Sequence, residues 1–197
     1  MAMEISVKFD VKKLTRSLSR LQRKQIPFAT AIALNDTAFQ AKKLAVKAMP
    51  RFIDRPTPAT KRGLFIVKAK KTRLIAIVGF KAFVWEYMKY QVLGGTRSAT
   101  GKKIAVPSRT ARLNKYGNIP GRRSGLIKKG YFFAKAGGTL GVFKPSGKRK
   151  VKLIAILTDQ ATYKPRYPFH RIIERAVKKR FKPNFEKSLA RAMLTAR

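Results

Sequence analysis

Proton transfer, nucleophilic attack and metal binding each need particular side chains, and this chain holds few of them. It has one histidine, His170, eight carboxylates and no cysteine in 197 residues. His170 stands between Phe169 and Arg171 at the start of an expected helix, where a surface or packing imidazole is a simpler reading than a general base. Asp54, Glu86 and Asp159 are the acids that folding would have to gather for a two-metal nuclease centre, but no close acidic pair or strand-borne acid-x-Lys pattern accompanies them. The other acids have local roles open to them. Asp10 can cap a helix, and Glu174 and Glu186 can pair with a cation one helical turn away, as Glu174 with Lys178. Without cysteine there is no disulfide framework and no thiolate metal site. Gly94-Gly95 and Gly137-Gly138 lack the glycine-lysine spacing of a phosphate loop and read as turns. The expectation is a protein that is not an enzyme and takes no cofactor and no metal.

Charge is the stronger signal. The chain carries 47 Lys and Arg against 8 Asp and Glu, a formal charge of +39, where a small soluble domain usually carries about 2 to 8 of either sign. Like charges on a compact body repel, so a polyanion or acidic partner is implied. A hydrophobic content of 45% with 10% aromatics is globular, which excludes a wholly disordered basic tail. The cations cluster at 12–24, 61–73, 97–123, 128–129, 144–152 and 171–182. Such density suits sequence-independent phosphate contact. The candidate contacts to DNA or a partner are Arg97, Lys102, Lys103, Arg109, Arg112, Lys115, Arg122, Arg123, Lys128, Lys129, Lys148, Arg149 and Lys150. Tyr116, Tyr131, Phe132 and Phe133 lie nearby and could stack on bases, with a core or interface role the simpler one. Lys or Arg interrupts every apolar run well short of the roughly 18 to 20 residues that span a bilayer. The N-terminus lacks the basic-then-apolar order of a signal peptide, so a soluble intracellular product with no membrane partner is expected.

The elements that position these side chains follow from periodicity. Ile5, Val7 and Phe9 alternate as a strand over 4–9, and a helix over 11–24 follows with Leu14, Leu18 and Leu21 at helical spacing. Pro27 opens a second helix running to Met49. Its stripe of Ala31, Ala38, Ala41, Ala45 and Ala48 with Leu34 and Leu44 reads as core. Pro50 cannot continue that helix, making 50–60 a stiff connector. Residues 63–69 and 73–80 form a hairpin. Residues 82–93 favour a short helix with Phe83, Tyr87 and Tyr90 on one face. Residues 94–130 read as a long basic loop that orders only on assembly, and 131–136, 140–143 and 151–157 as three more strands. Pro168 starts a C-terminal helix that Pro183 interrupts.

The result is one α+β domain over 1–197: N-terminal helices in 1–50, a central antiparallel β-sheet over 61–157 with the basic loop 94–130, and a C-terminal helical part over 168–197.

Several segments resemble the minor tail protein Z, or tail completion, family of tailed bacteriophages. They are IPFATAIALNDTA at 26–38, FIDRPTP at 52–58, YMKYQVLGGTR at 87–97, LNKYGN at 113–118 and the basic helix after YPF at 167–169. The resemblance spans most of the chain and brings no catalytic motif with it. It implies a structural virion protein at the tail or neck, in tail completion or head-tail joining, assembled in the host cytoplasm. Its partners would be other tail and neck proteins and, without sequence preference, DNA. By analogy with sixfold tail symmetry it would form a homo-oligomeric ring, hexameric in that case. The alternative is a general nucleic-acid-binding protein, ribosome- or chromatin-associated, without a virion role.

Overall fold

The computed structural model describes residues 4–8, 20–101, 103–120 and 123–194, with the backbone alone described for 4–8, 20–24 and 123–125. The chain is α+β. A short strand β1 (Glu4–Lys8) precedes a long helix α1 (Arg20–Phe52). A short α2 (Pro58–Arg62), the strands β2 (Leu64–Val67) and β3 (Ile75–Phe80), and a helix α3 (Ala82–Val92) follow. Next come β4 (Gly95–Ser98), β5 (Ile104–Pro107), α4 (Arg123–Lys128), β6 (Phe132–Ala136), β7 (Thr139–Pro145), β8 (Val151–Thr158), β9 (Gln160–Tyr163) and α5 (Phe169–Leu194).

Among the described residues the strands form three antiparallel sheets, not one: β1-β3-β2, β4-β9 and β5-β8-β7-β6. In β3 the alternate residues Ala76, Val78 and Phe80 are buried, as a strand with one face on a core requires. They meet Leu34, Ala38, Ala41, Ala45 and Met49 of α1 and Phe169, Ile173 and Ala176 of α5 in the main hydrophobic cluster. The alanine stripe on α1 is core as expected, except that Ala48 is half-buried and Leu44 is 40% exposed.

The expected helix breaks at proline do not occur. α1 runs through both Pro27 and Pro50, and α5 runs through Pro183. An interior proline costs about 3 kcal/mol, and packing beyond it compensates. Past Pro183, Phe185, Ser188 and Ala192 are buried. Asn184 donates through Nδ2 to Thr37 Oγ1 at 2.9 Å, holding α5 on α1 just after the proline. Pro50 and Pro183 are themselves exposed, on the solvent side of their helices. The expected Asp10 cap and residues 9–19 lie outside the described residues.

α3 forms where expected but turns a different face inward. Val84, Met88 and Val92 are buried, whereas Phe83 is 58% exposed and Trp85 stacks on Phe80 at 6.0 Å. Four-residue spacing of the aliphatic residues outweighs the aromatic pattern.

Candidate functional site

The segment 94–130 is not a free loop. β4 pairs with β9 and β5 with β8, so the two halves of one strand pair join different sheets. Between the halves, Asp159 is the one residue on the opposite side between the two registers, since Ser98 aligns with Gln160 and Ile104 with Thr158. The Ala99 amide donates to the Asp159 carbonyl at 2.7 Å, and Lys103 Nζ meets the Asp159 carboxylate at 2.6 Å. Past β5, the Ser108 amide donates to the Ile154 carbonyl at 2.9 Å, and the Ser108 and Thr110 hydroxyls both donate to Leu153 of β8. Asn114 then ties a tight turn: its Oδ1 accepts from the amides of Tyr116 at 2.9 Å and Asn118 at 3.0 Å. Residues 99–101 and 103–118 are thereby held along the edge of a sheet, where the sequence reading expected a loop without strands.

That turn meets the connector. Arg55, at φ +46°, forks onto Asp54 through Nε at 3.0 Å and Nη2 at 2.7 Å. The hydrogen bonds and charge of the guanidinium hold the Asp54 carboxyl below its ordinary pKa. The guanidinium lies over Gly117, where a Cβ would come within 3.1 Å of Nη2 and where φ is +74°. The segments FIDRPTP and LNKYGN, far apart in sequence, therefore touch through Arg55 and Gly117, 62 positions apart. The YMKYQVLGGTR segment is likewise a junction. It spans the end of α3 and the start of β4, and its Gln91 carbonyl accepts from the amides of Arg166 and Tyr167, each at 2.8 Å, fixing the approach to α5.

The expected contact residues are dispersed. Arg97 lies exposed on β4 and, with Lys103, lines a cleft of about 360 Å³ at the irregularity. Lys103 is neutralised by Asp159. Arg109, Arg112 and Lys115 are exposed along the pinned segment after β5, Lys128 and Lys129 at the end of α4, and Lys148, Arg149 and Lys150 at the tip between β7 and β8. Lys102 and Arg122 lie outside the described residues, and Arg123 opens α4. Of the four aromatics, Tyr116 and Tyr131 lie under Lys115 and Lys144, at 5.2 and 5.5 Å from nitrogen to ring centre. Phe132 stacks on Phe143 at 5.9 Å. Phe133 lines an open cavity of about 900 Å³ on the four-stranded sheet, with a wall that is apolar or glycine apart from Lys103 and Asn118.

The acids stay apart. Among the described residues no three of His, Asp and Glu converge on a point that could hold a metal. Glu186 pairs with Lys182 at 3.9 Å as the spacing allows, whereas the expected Glu174–Lys178 pair does not form. His170 is exposed, edge-on to Phe169 at 6.1 Å between ring centres.

A basic groove between α1 and α5, with a volume of about 380 Å³, was not anticipated. Lys47, Arg51, Arg175, Lys179 and Arg180 edge it, and Leu44, Ala48, Ile172 and Ala176 form its floor. No protein-family model, curated protein or solved structure matches the chain.

Proposed function

We propose that this chain is a non-enzymatic structural protein of a tailed-bacteriophage tail or neck that meets DNA through its basic surface. One observation carries the polyanion part. Against a net charge of +39, the described residues form three side-chain ion pairs, all exposed. Most of the cations among the described residues are exposed and lie outside these three pairs, on helices, strands and hairpin tips alike. Repulsion among these cations falls when a polyanion lies against them, and released counterions add affinity. The segments resembling the minor tail protein Z family supply the virion part, and two of them meet in the Arg55–Gly117 contact.

The test has two arms. Mass spectrometry of purified particles should find the chain as a stoichiometric component, and a mixed-sequence DNA duplex should bind the purified protein with an affinity that falls steeply with NaCl. Absence from particles removes the virion role. Failure to bind duplex at low ionic strength removes DNA as the polyanion.

A further inference from the structure

Two stretches far apart in sequence carry the same pattern at helical spacing: Leu44-Lys47-Ala48-Arg51 on α1 and Ile172-Arg175-Ala176-Lys179 on α5, with Arg180 one turn beyond Ala176. Each reads apolar, basic, small, basic at i, i+3, i+4 and i+7, which is one face of a helix. The two helices are antiparallel. Asn184 lies against Thr37 and Gln40, while the earlier residues Ile172 to Ala176 lie against the later residues 44–51. The apolar and small side chains therefore form a shared floor, and five cations stand along its edges.

All five cations are exposed, and none is in an ion pair among the described residues. Among the described residues no carboxylate lines the groove. A cleft lined by one sign of charge over a low-dielectric floor concentrates the field within it.

From this we infer that the α1–α5 groove is a seat for the phosphate backbone of duplex DNA. The inference rests on the proposed DNA contact and assigns it to a surface outside residues 94–150. An i,i+4 pair such as Lys47 and Arg51 is separated by about 6 Å along the helix axis. A strand of duplex DNA presents one phosphate per roughly 3.4 Å of its own axis. About 6 Å spans nearly two such steps, so each pair can contact two phosphates of one strand. Among the described residues no aromatic side chain lines the groove, so it offers no platform for unstacked bases, and this favours a duplex over a single strand. Cations that meet phosphates carry no sequence information, so binding in this seat is independent of sequence.

The experiment follows the anisotropy of a labelled mixed-sequence duplex against NaCl. It compares the full-length protein with K47Q/R51Q/R175Q/K179Q/R180Q and with a hairpin-tip control, K148Q/R149Q/K150Q. The substituted groove side chains are exposed, and circular dichroism checks that both variants keep the wild-type helix content. Five phosphate contacts contribute a slope of about −4.5 in log affinity against log salt, or roughly 500-fold in affinity between 50 and 200 mM. The groove variant should lose most of that slope, and the tip variant much less.

If wild type and groove variant share the same slope, the seat is elsewhere, although the DNA contact itself stands. If wild type does not bind duplex at all, the proposed function falls with it. If the groove variant binds DNA normally but loses binding to polyglutamate, the groove serves an acidic protein and the inference is overturned.

Discussion

Replacing Tyr167 by Phe tests how the core is closed, because one atom does two measurable things. Tyr167 is 1% exposed and packs among Phe52, Phe80 and Phe169, with ring centres 6.0 to 6.5 Å away. Its hydroxyl donates to the Ala45 carbonyl of α1 at 2.8 Å. The phenylalanine ring keeps the packing and loses that hydrogen bond, at a cost of about 1 kcal/mol. For a chain of this size that lowers the Tm by roughly 2–4 °C.

Burial also raises the Tyr167 hydroxyl well above the ordinary tyrosine pKa. The unfolded chain therefore ionises first as pH rises. Stability from this group is complete below the unfolded value of about 10 and declines above it. At pH 11 the unfolded state gains RT ln(1 + 10), so the folded protein loses about 1.4 kcal/mol that the phenylalanine variant keeps. Wild type should exceed Tyr167→Phe by about 1 kcal/mol at pH 8 and equal it or fall slightly below at pH 11, ionisation of the unfolded tyrosine alone moving the gap by about 1.4 kcal/mol. Urea unfolding of both proteins at both pH values measures the gap, and lysine titration, common to the two, cancels. A gap that is absent at pH 8, or constant from pH 8 to pH 11, would refute the reasoning.

Two further substitutions probe the sheets. A Cβ at Gly141 would lie 2.7 Å from Leu153 Cδ1 and 2.8 Å from the Ala155 carbonyl oxygen, so Gly141→Ala should destabilise the four-stranded sheet by about 1–3 kcal/mol. An unchanged urea midpoint would show that β7 and β8 can part without cost. Deleting residues 96–123 removes most of β4 and all of β5, baring the edges of β9 and β8. Bare edges pair with other chains, so size-exclusion chromatography should find aggregates, and a soluble monomer with the wild-type melt would contradict the pinned arrangement.

Local periodicity made the longer helices, the first hairpin and the strands β6 to β8 legible, but not the short α2 and α4, which lie in stretches read as connector and loop. It left β9 out because QATY carries little apolar signal, and its place is set by pairing with β4. β4 and β5 were hidden for a related reason. GTRS is wholly exposed, and IAVP has only a half-buried isoleucine, so neither shows a buried face. Their order comes from backbone bonds to β8 and β9 and from the Lys103–Asp159 pair. The prolines misled in the other direction. A proline's local cost is visible in sequence, but the burial of Phe185, Ser188 and Ala192 that offsets it depends on α1, more than 130 positions away.

The groove between α1 and α5 was missed because charge was read along the chain. A run such as 171–182 stands out in that view, whereas Lys47 and Arg51 belong to no run and look like ordinary helix surface. Folded, they face Arg175 and Lys179, and the patch exists only as the sum of two helix faces. The spacing of α1 held half the signal, since small residues at the contact bring a neighbouring helix close enough for side chains at i+3 and i+7 to reach across its edge. A basic pair beside an alanine stripe is then an incomplete site, and what completes it is whichever helix packs on that stripe. Here that helix brings the same pattern in the opposite direction, so cations edge the floor on both helices and none of the five meets an acid among the described residues. Linear density of charge locates where a chain is basic; helical phase, read together with the packing stripe, locates where that charge converges.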